Sequence, residues 1–135
     1  MALQPLVDAL TAELIGVVPR EGLKNFYHAV GRRMASAVPL DGVNDLHHLT
    51  SELNALWTKT GWGKAEIRLE PDSIVVRHSS PPQSPSPGCR DAWLDMVSAV
   101  LEGAYDSWFR SLGSGPALHT RAMWNGDGIE LRHSR

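Results

Sequence analysis

The chain has 135 residues, with 13 basic and 15 acidic side chains, a formal charge of −2 and five tryptophans in a 42% hydrophobic composition. A chain of this size buries roughly 65–70% of its unfolded surface, and its balanced apolar content excludes intrinsic disorder. The small net charge excludes an electrostatic footprint for nucleic acid or an anionic membrane, and a single cysteine, Cys89, excludes a disulfide-stapled scaffold.

In chain order, Leu3, Leu6, Val7, Leu10 and Leu14 recur at helical spacing, which predicts a first amphipathic helix ending near Gly16 and Pro19. Asp8 and Glu13 interrupt its apolar residues and no basic segment precedes it. This is neither a signal peptide nor a membrane span, so a cytoplasmic protein is expected. Leu23, Phe26, Tyr27, Val30 and Met34 share one face of a second helix, which Pro39 stops. Gly31 costs about 1 kcal/mol against Ala in a helix interior, and with Ala35 it forms a small pair suited to close packing. Leu46, Leu49, Leu53, Leu56 and Trp57 span roughly 100° of a third helix, with Asn44 or Asp41 as its cap, Lys59 in its last turn and Gly61 after it.

The period then changes to two. Ala65, Ile67 and Leu69 alternate with Lys64, Glu66, Arg68 and Glu70, a strand buried on one face. Pro71-Asp72-Ser73 turns the chain and residues 74–78 return as a second strand. Residues 79–90, with four prolines and four serines, read as a loop inside a single domain of residues 1–135. A long helix follows from Asp91 to Leu112. Its apolar side chains, among them Trp93, Val97, Leu101, Tyr105, Trp108 and Phe109, cover roughly 220° at about 100° per residue. That is about twice what one core needs. Either the helix is covered on two sides or it meets another subunit, and these six residues are the expected oligomer interface. Residues 117–124 and 129–133 flank Asn125-Gly126, a strong hairpin turn signal. The expected fold is α+β, in the order ααα-ββ-α-ββ.

No motif for phosphate binding, zinc hydrolysis or a nucleophile elbow is present, so neither an enzyme nor a cofactor or metal is expected. Adjacent His47 and His48 diverge by about 100° on a helix and make no chelating pair. His28 reads as a helix-face residue, Cys89 as a loop thiol beside Arg90, and Glu66, Glu70, Glu102 and Asp106 as solvated carboxylates. Trp57, Trp62 and Trp124 admit stacking on sugar rings as well as core packing.

Four collinear segments carry a resemblance. Residues 51–56 (SELNAL) with Gly61-Trp62-Gly63, residues 30–35 (VGRRMA), residues 100–105 (VLEGAY) with Trp108, and Thr120-Arg121 together resemble the bacterial cellulose synthase operon protein D family from about residue 9 to 133. The resemblance implies a non-catalytic accessory subunit. It implies a ring-like homo-octamer built from dimers, which conducts and aligns nascent glucan chains beside other cellulose synthase subunits. It also implies that the N-terminal residues Met1, Ala2, Leu3, Gln4 and Pro5 line the glucan passages. A role in glucan export makes the periplasm the alternative location. A small-molecule sensor domain enclosing a hydrophobic ligand is the competing reading of the same element order.

Overall fold

A computed structural model describes residues 3–83 and 90–135 of the chain. The helices are α1 (Gln4–Val17), α2 (Arg20–Ser36), α3 (Leu46–Thr60) and α4 (Arg90–Ser111). The strands are β1 (Lys64–Glu70), β2 (Ser73–Ser79), β3 (His119–Asn125) and β4 (Gly128–Ser134). The order ααα-ββ-α-ββ and the α+β class are as expected. The two hairpins join through β2 and β4, giving one antiparallel sheet in the order β1-β2-β4-β3. Among the described residues no helix is long and apolar enough to cross a membrane.

Local chemistry sets the boundaries. The third helix starts at Asp45, in extended conformation, whose carboxylate accepts from the His48 N–H at 2.7 Å. The cap is therefore Asp45 and not Asn44 or Asp41, because only the residue directly before the first helical turn presents its side chain to the free amides. Gly61 ends the helix at φ 73°, where the Trp62 N–H returns to the Trp57 carbonyl at 2.9 Å. That left-handed turn needs no Cβ and throws the chain straight into β1.

The dry face of the sheet packs against the helices and the wet face is mainly polar, although Val75 is buried on the polar face and Leu69 is exposed at the end of the packed one. The register aligns Ala65 with His78, Val76 with Leu131, and Ala122 with Leu131 on the dry face. The opposite face carries Glu66, Arg77, Glu130 and Arg121. Helix α4 packs over β3 and β4, and α3 lies on β1. Asn54 of α3 clasps the backbone of Ala65, accepting from its N–H at 2.7 Å and donating to its carbonyl at 2.9 Å. This side-chain amide pairs with the β1 backbone much as another strand would.

Helix α2 covers α4 from the other side, and two glycines make the approach possible. A Cβ on Gly31 would lie 2.0 Å from the Val100 carbonyl oxygen, and one on Gly103 would lie 2.2 Å from that of His28. Each helix thus lays bare backbone against the other, which explains the glycine inside α2. Trp108 adds an indole N–H donated across this seam to the Ala35 carbonyl at 3.1 Å.

The broad apolar arc of α4 is therefore covered on two sides within one chain. Trp93, Val97, Leu101, Tyr105, Trp108 and Phe109 are all buried in the core. This corrects their expected place at an oligomer interface: α2 and the sheet already occupy the surface that a second copy was expected to fill.

Candidate binding groove and buried polar network

Unpartnered apolar surface lies instead on α1. Val7 and Leu14 pack against the core, and buried Thr11 meets the Met96 sulfur at 3.9 Å. The adjoining stripe of Leu3, Leu6, Leu10 and Val17 is 54–69% exposed. The apolar stripe of α1 is wider than its contact with the body of this chain.

Beside the junction of α1 and α2, a groove of about 950 Å³ runs between α2, α4 and β3. Its walls are mostly apolar, with Leu23 and Tyr27 from α2, Ala99 from α4, and Ala122 and Trp124 from β3. Such size and lining are typical of binding sites. It is a half-open groove, unlike the closed chamber that an enclosed hydrophobic ligand requires. Trp124 contributes an indole N–H that is buried and has no hydrogen-bond partner among the described residues. An unmade bond of this kind costs about 1–3 kcal/mol.

Charges along the groove are mostly paired. Arg20 reaches Asp95 at 3.2 Å, an exposed pair, and Lys24 lies 4.0 Å from Glu102. Glu102 is 7% exposed, so it is no member of a solvated strip. One of its oxygens accepts from His28 Nε2 at 2.7 Å and the other from the Ala122 N–H at 2.7 Å. Burial pushes its pKa up, but the hydrogen bonds from His28 and Ala122, helped by the Lys24 charge, outweigh burial and hold the carboxyl below its ordinary value. Glu102 therefore ties α2, α4 and β3 together at the groove wall as a carboxylate.

Behind the groove, the dry face of the sheet holds two buried histidines. The Trp57 indole N–H donates to the Tyr105 hydroxyl at 2.9 Å, which in turn donates to His78 Nδ1 at 2.8 Å. His78 Nε2 then donates to the Trp62 carbonyl at 2.7 Å. The carbonyl only accepts, so the ring is the neutral Nε2–H tautomer. Burial lowers the His78 pKa, against the raising effect of that carbonyl, and pushes the Tyr105 hydroxyl far up. At the other edge, Thr120 donates to Asp106 at 3.1 Å and so accepts from His133 Nδ1 at 2.7 Å. His133 Nε2 is buried without a partner among the described residues. Asp106 also holds Arg110 at 2.6 Å.

Several expected roles change with this geometry. Asp106 is a partly buried hub, while Glu66 and Glu70 stay on the wet face, Glu70 bound by Arg68 and Arg132 at 2.9 Å each. Trp57 is core and Trp62 is partly buried against it, with ring centroids 6.0 Å apart. Only Trp124, of the three tryptophans with a possible sugar-stacking role, lines the groove. Leu3 and Pro5 are exposed and Gln4 begins α1, whereas Met1, Ala2 and Cys89 lie outside the described residues. The two inward histidines do not stand out in the sequence. Their signal is strand parity: His78 stands two residues after Val76, and His133 two after Leu131, so both share the face of those core side chains.

The family model for the D-type subunit of cellulose synthase matches residues 1–133. A protein of Komagataeibacter xylinus, cellulose synthase operon protein D, is 32% identical over 108 residues, which cover 78% of this chain and 67% of that protein.

Proposed function

This chain belongs to the cellulose synthase operon protein D family and has its role in cellulose synthesis; from that premise we propose that it acts as a non-catalytic, oligomeric scaffold that guides nascent glucan chains. The observation that carries the oligomer is the exposed stripe of Leu3, Leu6, Leu10 and Val17 on α1. A second copy of the chain would remove this apolar surface from water, at about 25 cal/mol per Å² buried. A ring built on such contacts is the form we propose, with Leu3 and Pro5 near the passages. What supports a non-catalytic role is the commitment of the carboxylates. Glu102 and Asp106 hold helices to strands, and Glu66 and Glu70 face water on a sheet surface. Glycoside hydrolysis needs two carboxyl groups facing one another across a substrate cleft.

Light scattering on the purified chain tests the assembly. The expected mass is a multiple of 14.8 kDa. A stable monomer at micromolar concentration overturns the scaffold reading. In a strain lacking the chain, complementation is expected to restore cellulose yield and order.

A further inference from the structure

The two edges of the sheet are guarded differently. At β3, helix α4 takes up edge backbone: Glu102 accepts from the Ala122 N–H and Arg110 donates to the Leu118 carbonyl. At β1, Asn54 alone among the described residues does so, on Ala65. Backbone groups of successive strand residues point to opposite edges, so Ile67 and Leu69 aim theirs outward as Ala65 does. Neither has a hydrogen-bond partner on that side among the described residues. Leu69 is also 62% exposed, on the face that elsewhere packs against the helices. Strand β1 thus offers a short open stretch of backbone with an apolar side chain beside it, a template for another strand.

Charge and Asn54 select how β1 of a second copy would fit there, antiparallel about a two-fold axis. An axis at Lys64, Glu66, Arg68 or Glu70 sets that residue against itself, and like charges directly opposite repel. An axis at Ala65 or Ile67 brings the second strand onto the Ala65 backbone, which Asn54 already holds. An axis at Leu69 clears Asn54, sets Leu69 against Leu69, and places each Arg68 opposite Glu70 of the second copy. Arg68 is 63% exposed, so its charge is available to reach across. We propose that β1 is a contact between copies of this chain, in which two β1 strands pair antiparallel about Leu69 and join their sheets into one of eight strands, four from each copy. Each Leu69 exchanges both backbone hydrogen bonds with its counterpart, the two side chains cover one another, and Arg68–Glu70 pairs cross the polar face. An edge pairing this short buries less than the roughly 800 Å² per partner of a standard interface, so it acts together with the α1 contact rather than alone. The proposal rests on the assembly reading for the presence of several copies and adds a contact separate from the α1 stripe. A ring built from dimers needs one contact within the dimer and another between dimers.

Thiol cross-linking of the full chain reads the register. In a Cys89→Ser background, Leu69→Cys is expected to give a disulfide-linked dimer on mild oxidation, because hydrogen-bonded partners stand about 5.5 Å apart at Cα, within disulfide reach. Met123 is 70% exposed on the other edge strand, so Met123→Cys is the control for random collision. It is expected to link at least about tenfold more slowly. Leu69→Pro removes the N–H that the pairing uses, and costs the single chain no hydrogen bond because that N–H points off the open edge. It is expected to lower the particle mass in light scattering to about half or less. Should Leu69→Pro fail to fold, Arg68→Glu decides, since it sets like charges across the axis and is expected to lower the mass in the same way. Linking of Leu69→Cys no faster than that of Met123→Cys overturns the proposal. So does an unchanged particle mass in folded Leu69→Pro, or in Arg68→Glu where Leu69→Pro is unfolded. The two levels separate in the same measurement. A wild-type chain that is a stable monomer overturns the assembly reading and this contact together, whereas an oligomer of unchanged mass in these variants overturns the β1 contact alone.

Discussion

His78 and His133 lie on the dry face of the sheet, and their surroundings leave no room for a second proton. In His78 the Nδ1 position already receives the Tyr105 hydroxyl, and in His133 the Nε2 position has no acceptor near it among the described residues. Burial lowers both pKa values below the ordinary 6.5; for His133 it prevails over the nearby Asp106 charge. The linkage has a definite sign. Above pH 6.5 the rings are neutral in folded and unfolded chains alike, and the stability is fully present. As pH falls through 6.5 the unfolded chain takes up protons first, and stability drops until the folded pKa values are passed. Glu102 adds a second loss below its ordinary 4.5, because its folded carboxyl releases a proton more readily than the unfolded one. Urea unfolding is therefore expected to show a lower midpoint at about pH 5.5 than at about pH 7.5, with a further decrease below pH 4.5. An unchanged midpoint between the first two values would remove the histidine argument. Trp108 makes the other residue-scale test. It is 2% exposed and donates to Ala35, so Trp108→Ala is expected to lower folding stability by about 3–5 kcal/mol. The loss belongs in the unfolding midpoint of the single chain, since no part of this side chain is left for another copy.

Helices α2 and α4 meet where each lacks a side chain. Gly31→Ala would raise intrinsic helix propensity by about 1 kcal/mol, yet its Cβ has backbone 2.0 Å away at Val100 and 2.8 Å away at Ala104. Backbone gives way less readily than a flexible side chain. Overpacking of about 1–3 kcal/mol or more is expected to win, and thermal unfolding checks its sign. A stabilised Gly31→Ala variant would mean that the helices part at little cost. The glycine in α2 is legible as a packing signal from its sequence alone. Its partner on α4, Gly103, is not, because the sequence of one helix does not say which turn of another it will face. The same limit applies to α4 itself. Its apolar arc is readable from periodicity, but an arc carries no label for the surface that covers it.

Assembly is a property of the whole molecule, and here the free apolar surface decides where to look for it. The stripe on α1 is exposed while the residues of α4 are enclosed, so Leu6→Asp with Leu10→Asp is expected to reduce particle mass in light scattering. Unfolding of the body is expected to change little, because both side chains are more than half exposed. Retained assembly in that double variant would place the contact between copies elsewhere on the chain. The sequence by itself determined the element order, the hairpin turns and the helix stops, because these depend on residues a few positions apart: Gly61 after a leucine stripe, or Asn125-Gly126 between alternating runs. It also determined the family resemblance, which rests on collinear motifs. Only the tertiary structure decided that β2 pairs with β4, that α2 rather than a second chain covers α4, and that Glu102 is buried between His28 and Ala122. Those outcomes depend on surfaces brought together across long stretches of chain, and a local pattern fixes which face is apolar but not which apolar face it will meet.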